Sequence, residues 1–536
     1  MDIPSLFMIP SAVSSGKVHS VFPNSTDADF DFNRDSDATR VNSEGLIERV
    51  GYYGSDLVTN GGFDTDSNWT KGTGWSIANG KATQSGGTGQ LSQSISISTG
   101  VVCKFTFTAT IQSGTLRISA GVSAPVQDFT ESGTHTFNLA FAGNTVLYFL
   151  GTSSSFSGSI DSISIKEITG DRARLNYEIE GGLVNTKPSL LLENQSTNLL
   201  PYSEDFTKWN EFNATNTSNI ATSPDGQITA DKITKSGLSG NDRVRKTSIS
   251  VSNSTSYAIS VFVKNDTNVT GGITTLAFRV SSGTLFRQGI EWTDNIATLT
   301  DAKSNGTRTN KILEDYGNGW YRVGFAFTTD GTSGIFEIDI DRENTNNTTS
   351  IFVWGAMLEQ LSYATSYIPT NGSTQTRAAE TCNGAGTSSI FESSEGILYA
   401  EIAALANNAD TLRWINLNNG ATTNRVAFYY RTDENQLTYL VSSGTTQVFS
   451  TITLSSASSF IKIAAKWKAN DFALWVDGVK VVTDTSGNSP VGLNQLSFDN
   501  GAGGSNFYGK LRDIRVYNTK EMTDSEVDIL LTKITS

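Results

Sequence analysis

The chain has 536 residues, 37% apolar and only 17% charged, with 49 Gly, 9 Pro, 2 Cys and 2 His. At roughly 100–200 residues per domain this length points to about three or four domains, each able to bury a core, which excludes wholesale disorder. Lys+Arg 39 against Asp+Glu 53 gives −14, and no basic stripe interrupts the acidic balance, so no nucleic acid is expected as a partner. With only His19 and His135 available, His-rich metal sites and Ser-His-Asp hydrolysis lack raw material. Cys103 and Cys382 lie far apart and indicate no disulfide framework. The first residues include a short apolar patch, but Asp2 precedes it and no Lys or Arg comes before Lys17, which is unlike a signal peptide. No apolar run nears the roughly 18 residues of a membrane helix, so no membrane insertion is expected.

In chain order, residues 1–55 show little regular pattern before residue 30 and predict an extended N-terminal arm that orders when bound. Its Arg34, Arg40 and Arg49 pair either with acidic groups on a partner or with the rest of this chain. Residues 56–169 open with Asp56-Leu-Val-Thr-Asn-Gly-Gly-Phe63 and alternate through Ser94-Ile-Ser-Ile-Ser98 and Lys104-Phe-Thr-Phe-Thr108 to Ser159-Ile-Asp-Ser-Ile-Ser-Ile165. Residues 170–197 connect to a second unit, 198–370, with Ser256-Tyr-Ala-Ile-Ser-Val-Phe-Val263, Phe336-Glu-Ile-Asp-Ile340 and a closing Ser350-Ile-Phe-Val-Trp354. Few apolar residues occur from 371 to 389, which reads as a linker. Residues 390–536 add strands such as Phe460-Ile-Lys-Ile-Ala-Ala-Lys-Trp467 and Ala473-Leu-Trp-Val-Asp-Gly478, then one helix capped by Thr523 with Glu526 in the capping-box position. Period-two runs between Gly, Asn, Ser and Asp clusters predict an all-β, multi-domain β-sandwich (jelly-roll) protein with a short C-terminal helix.

Ala473-Leu-Trp-Val-Asp-Gly478 and Gly509-Lys-Leu-Arg-Asp-Ile-Arg-Val-Tyr517, with the following Met522-Thr-Asp-Ser-Glu526, resemble concanavalin-A-like (laminin-G-like) jelly rolls. The two preceding units, through Thr59-Asn-Gly-Gly-Phe63…Trp75 and Asn198-Leu-Leu200…Phe206…Trp209, look like carbohydrate-binding-module jelly rolls. The flanking segments Phe30-Asp-Phe-Asn-Arg-Asp-Ser-Asp-Ala-Thr-Arg-Val-Asn42, Arg174-Leu-Asn-Tyr177 and Lys187-Pro-Ser-Leu-Leu-Leu-Glu-Asn-Gln-Ser-Thr-Asn-Leu-Leu200 are similar to a pattern of bacteriophage virion proteins, including tail and head fibres. In that reading residues 56–169 are inserted between the halves of the pattern. The resemblance implies a structural or adhesion protein on the particle exterior, made in the host cytoplasm, with the arm docking on other virion proteins.

Glu337-Ile-Asp-Ile-Asp341 is the sharpest catalytic candidate, because alternation puts its carboxylates on one strand face. A retaining glycosidase needs two carboxyls about 5–5.5 Å apart, so the useful pair is Glu337 and Asp339. The plainer reading is the solvated outer face of a half-buried strand, and no enzyme is expected. Aromatic rings with polar handles suit half-wet sugar sites. Trp69, Trp75 and Trp209 fall in loop-like openings, Trp292, Trp320 and Tyr321 flank turns, and Trp475 faces away from Leu474 and Val476, so these seven are the glycan-binding candidates, with core packing as the alternative. Abundant oxygen ligands make structural calcium the plausible metal, with Asp64 and Asp161 as ligands. The preferred expectation is a fibre or adhesin that attaches to host-surface glycans as a homo-oligomer, a trimer by analogy with phage fibres, so that copies supply avidity. A decoration protein without a receptor and a polysaccharide depolymerase are the alternatives.

Overall fold

The structure, a computed structural model of the full chain, describes residues 3–536 apart from 123–125, 131, 170–171, 237–241, 267–271, 341–349 and 372. The chain is an all-β, multi-domain β-sandwich protein with one α-helix among the described residues, Asp524–Thr535. It divides into two compact units, Gly51–Gly170 and Met1–Val50 with Asp171–Ser536.

The Gly51–Gly170 unit is built on two long antiparallel strands, Val102–Ala120 and Val146–Thr169. Register shifts at Thr106/Thr108, Ile111/Ser113 and Gly114/Leu116 bend this pair, as bulges do, so one ribbon serves both layers of the sandwich. Alternation turns Phe105, Phe107 and Ala109 inward to a core that also holds Phe63, Trp69, Trp75, Phe149 and Phe156. The short strand expected at 94–98 is instead the end of Gln90–Ser94.

The larger unit contains two sandwiches. The first packs a six-stranded sheet (Asn210–Phe212, Arg243–Ser250, Ser333–Asp339, Gly272–Val280, Leu285–Thr293, Ile296–Asp301) on a second (Ala214–Thr222, Ile228–Lys235, Ser350–Glu359, Ser256–Asn265, Trp320–Thr328, Thr309–Asp315), every neighbour antiparallel. The strands expected around Ser256 and Phe336 are present, with Val261, Val263, Phe336 and Ile338 in the core.

The C-terminal sandwich draws on the whole chain and corrects three expected boundaries. Its eight-stranded sheet includes Arg174–Asn176 and Ser189–Leu192 from the connecting segment, and Leu6–Met8 from the N-terminus pairs with Gly509–Asn518. Residues 1–55 are therefore not a free arm: Leu6, Met8, Val18, Phe30 and Phe32 lie in the same core as Leu398, Trp467 and Val516. Residues 371–389 are not a linker either, because Gln375–Arg377 pairs with Ser196–Asn198 and Thr381–Asn383 with Phe30–Asn33. The partners sit hundreds of residues away, which is why two- and three-residue strands hold here without any local periodicity. A five-stranded sheet (Thr445–Thr453, Gln436–Ser443, Asn424–Tyr430, Arg413–Asn418, Gln495–Ser497) closes the sandwich.

The capping box on Asp524–Thr535 forms as expected: Glu526 N–H donates to the Thr523 hydroxyl, and the Glu526 carboxylate accepts the Thr523 N–H at 2.8 Å. Val527, Leu530 and Leu531 lay this helix on the outer face of the eight-stranded sheet. Leu6→Ala is expected to cost about 2–5 kcal/mol of stability in denaturant unfolding, where a residue of a detached arm would cost nothing.

Candidate functional site

Three segments far apart in sequence, residues 30–42, 174–177 and 187–200, meet in one buried ionic joint within the larger unit. Glu380 Oε1 accepts from Arg34 at 2.8 Å and from Arg174 Nε at 2.9 Å, while its Oε2 accepts a second Arg174 N–H and the Glu193 backbone N–H at 2.9 Å. Glu193 in turn meets Arg174 at 2.8 Å and Arg377 at 2.9 Å, and accepts from Ser366 N–H and hydroxyl at 2.8 and 2.6 Å. Arg34 also donates to the Val50 carbonyl, Arg174 to that of Thr39 and Arg377 to that of Asn194. All five charged side chains are buried. Ion pairs cannot be buried cheaply unless their hydrogen bonds are closed as well, and here most are.

Polar residues of the same segments dress the joint. Asn176 Oδ1 accepts the Val41 N–H at 2.9 Å, and Asn198 Oδ1 accepts the N–H groups of Leu200 and Leu358 while its amide donates to Ala356 and Ile368 carbonyls. Arg34 is thus an internal fastener. Arg40 and Arg49 pair with Glu48 and Asp37 within the chain, the second of the two alternatives that the sequence left open. Sequence reasoning missed Arg377 and Glu380 because the segment's polarity reads as exposure. The signal present was charge: Arg377 and Glu380 are the two charged residues of the otherwise uncharged stretch 371–389.

The carboxylates of Ser333–Asp339 are also not where expected. Register places Glu337 beside Arg245 and Ala277, and Asp339 beside Arg243 and Thr275. Both are buried rather than solvated. Arg243 stands 3.6 Å from Asp339 and 3.9 Å from Glu337, Arg287 stands 3.6 and 3.8 Å from the same pair, and Arg279 stands 3.5 Å from Glu337. Thr275 donates to Asp339 at 2.8 Å, and the half-exposed Phe212 ring lies 5.2 Å and 5.5 Å from the Arg243 and Arg245 guanidinium carbons. Cross-strand arginines supply the opposite charge that lets this face close. Asp341 lies outside the described residues.

None of the seven aromatic candidates is a platform, since none is more than 9% exposed. Trp69, Trp75 and Trp209 spend their indole N–H on the carbonyls of Asn60, Gly89 and Tyr202, Trp292 on the Thr274 hydroxyl and Trp320 on the Thr222 carbonyl. Tyr321 packs edge-on to Trp292 in the core, and Trp475 lies under the C-terminal helix with Leu530 and Leu531. Trp75, Trp292, Trp320 and Tyr321 lie within strands rather than in loops or turns, which turns their rings into the cores.

Among the described residues no three His, Cys, Asp or Glu side chains gather where a metal could sit. Asp161 accepts from the next residue's N–H. Calcium takes six to eight oxygens, so Asp64 and Asp161 do not by themselves fit it.

No protein-family model matches the chain, and no curated protein does. Among the solved structures that are similar in part are three. One is the N-terminal CBM22-1–CBM22-2 tandem domain from Paenibacillus barcinonensis Xyn10C, at 10% identity over 57% of this chain and 98% of that one, with a TM-score of 0.19. Another is mouse laminin alpha1 chain domains LG4-5, at 10% identity over 52% and 86%, TM-score 0.18. The third is the LG1-3 region of the laminin alpha2 chain, at 8% identity over 81% and 95%, TM-score 0.13. At these values the likeness adds nothing to the sandwiches described above.

Burial by itself raises the Glu193 carboxyl, but Arg377, Arg174 and the Ser366 donors outweigh it and hold it down at about 2; Glu380 is likewise held below the ordinary range, against burial, by Arg174 and Arg34. A depressed native carboxyl stabilises fully above its unfolded value, about 4.3, and that stability is lost as pH falls towards the native value. Thermal unfolding followed across pH 5 to 2 should therefore show a steep loss of stability. Glu380→Gln leaves Arg34 and Arg174 buried with half their counter-charge and is expected to cost about 3–5 kcal/mol in denaturant unfolding, and to flatten that acid limb.

Proposed function

We propose that this chain is a non-enzymatic bacteriophage virion protein, a tail or head fibre or adhesin, carried on the particle exterior and attaching to host-surface glycans. The observation that carries the reading is the joint: the residues similar to the virion-protein pattern, Arg34, Arg174, Glu193 and Asn198 among them, are the ones that fasten two sandwiches into one unit. A display protein needs that rigidity. Copies joined as a trimer, held by other virion proteins, would turn weak sugar contacts into avidity.

The depolymerase reading loses support, because Glu337 and Asp339 are buried against three arginines instead of facing a sugar. The burial of all seven aromatic candidates favours, as a second reading, a decoration protein that binds no receptor.

The test is to incubate the full-length protein with a panel of bacterial envelope polysaccharides, following binding and polymer length together, while gold-labelled antibodies against it are imaged on intact particles. Labelled particles and bound, undegraded polymer are expected. Shortened polymer would establish a depolymerase, and labelled particles with no polymer bound would establish the decoration reading.

A further inference from the structure

The two sheets of the C-terminal sandwich are treated differently on their outer faces. The helix Asp524–Thr535 covers one. On the other, alternation turns Trp414, Asn416 and Asn418 outward from the strand Arg413–Asn418, and Arg425, Ala427 and Tyr429 outward from Asn424–Tyr430, while Ile415, Leu417, Val426 and Phe428 enter the core. Trp414 and Tyr429 are register partners, their rings stacked with centroids 3.7 Å apart and planes within 15°, and the Arg425 guanidinium lies 4.5 Å from the Trp414 ring centre.

What covers this face is a loop, Asp499-Asn-Gly-Ala-Gly-Gly-Ser-Asn506. Asn416 donates its amide to the Asp499 carbonyl, Arg425 donates to the Asn500 carbonyl at 2.5 Å, and the Trp414 backbone N–H donates to Ser505 at 3.3 Å. The loop lies so close that a Cβ on Gly501, where φ is +84°, would stand 3.2 Å from Asn416 Oδ1 and 3.3 Å from Asn418 Cγ. Glycine is required there for both reasons.

Beneath the loop the hydrogen bonding is incomplete in one place. Trp414 Nε1, Asn416 Oδ1, Asn418 Nδ2, Arg425 Nε and Asn506 Oδ1 are buried atoms with no partner. Trp414, Asn416 and Asn418 are themselves at least nine-tenths buried. Native proteins leave such groups unsatisfied rarely and scattered, so a concentration of them marks a place for something that supplies the missing bonds. The mixture says what that is. Indole, amide and guanidinium N–H groups beside two amide oxygens ask for groups that both donate and accept, which hydroxyls do. Arg425 disfavours a metal cation, and the two carbonyl oxygens disfavour an anion. Beside the polar floor, Asn416, Ala427, Leu440 and Phe449 run in register across four strands; Ala427 and Leu440 are buried, and Phe449, 57% exposed at the end of the row, is an apolar ring of the kind that the C–H face of a sugar covers.

We infer that this face is a binding site for a neutral saccharide, whose hydroxyls satisfy Trp414, Asn416, Asn418 and Arg425, and that the Asn500–Gly504 stretch of the loop moves aside to admit it while Asn506 keeps its bridge to Trp414. The inference rests on the display reading for its biological sense and on the floor beneath the loop for its chemistry.

The test labels the full-length protein with 5-fluorotryptophan, assigns the Trp414 signal by its loss in Trp414→Phe, and titrates glucose, galactose, mannose, rhamnose and N-acetylglucosamine, with glucuronic acid as the charged comparison. At least one neutral sugar is expected to move the Trp414 signal, and Asn416→Ala to weaken that sugar by about tenfold or more. Asn506→Ala, on the half-buried rim, gives the same reading should Asn416→Ala fail to fold. A Trp414 signal that no neutral sugar moves, which would mean ordered water only, overturns the inference, as does a response to glucuronic acid alone or one that survives Asn506→Ala with Asn416→Ala. Labelled virions with a silent Trp414 would sink this site and leave the display reading standing; a responsive Trp414 on a protein absent from particles would do the reverse.

Discussion

The carboxylate of Glu380, sealed from water between Arg34 and Arg174, is the constraint on which the larger unit depends. A buried carboxylate must be neutralised and hydrogen-bonded, and a buried guanidinium equally so. Arg34 lies 346 residues from Glu380 in sequence and Arg174 206, so satisfying the charge closes loops that contain an entire sandwich. Closure over such lengths adds little entropy beyond that of shorter loops, because the cost grows only logarithmically. The bonds formed at the joint then fix the chain ends of two sandwiches at once. This is why the N-terminal segment enters the last sheet of the chain, beside Gly509–Asn518, and why a polar stretch such as Thr376-Arg-Ala-Ala-Glu380 carries two buried charges, Arg377 and Glu380.

A second buried set of charges shows what the joint is not. Around Glu337 and Asp339 the ion pairs stand 3.5–3.9 Å apart, wider than direct hydrogen bonds, whereas at the joint Arg34 and Arg174 meet Glu380 Oε1 at 2.8–2.9 Å. Contacts at the wider spacing leave room for bridging water and hold less tightly. The first set is a fastener with nearly every lone pair used. The second is a charged sheet face kept closed by electrostatic balance, with Phe212 laid along its edge.

How far each feature was legible follows from how local its cause is. The strand at Ser256–Asn265, the inward Phe336 and Ile338, and the Thr523 capping box depend on neighbours within a few residues, and alternation or spacing displays them directly. Trp75 carried its own answer too: Trp75 and Ile77 alternate with Ser76 and Ala78, and the pair faces inward on the strand Trp75–Ala78. The strands Leu6–Met8 and Thr381–Asn383 carry no such answer, since three residues display no period and their partners lie across the chain. Arg377 and Glu380 are the hardest case. Polarity ordinarily means solvent, and only the arrival of Arg174 and Glu193 from elsewhere makes burial cheaper than exposure there.

The joint also explains how this chain tolerates a long insertion. Arg34 donates to the carbonyl of Val50, the last residue of the larger unit before the Gly51–Gly170 unit begins, and Arg174 follows closely after that unit ends. Both flanks of the insertion point are therefore pinned by the same ionic cluster. Whatever is placed between them, the two chain ends are held by bonds that do not involve it, and the energetic demand on the inserted unit reduces to closing its own core of Phe63, Trp69, Phe105 and Phe149. Its surface is thereby free to change without disturbing the fastening of the two sandwiches.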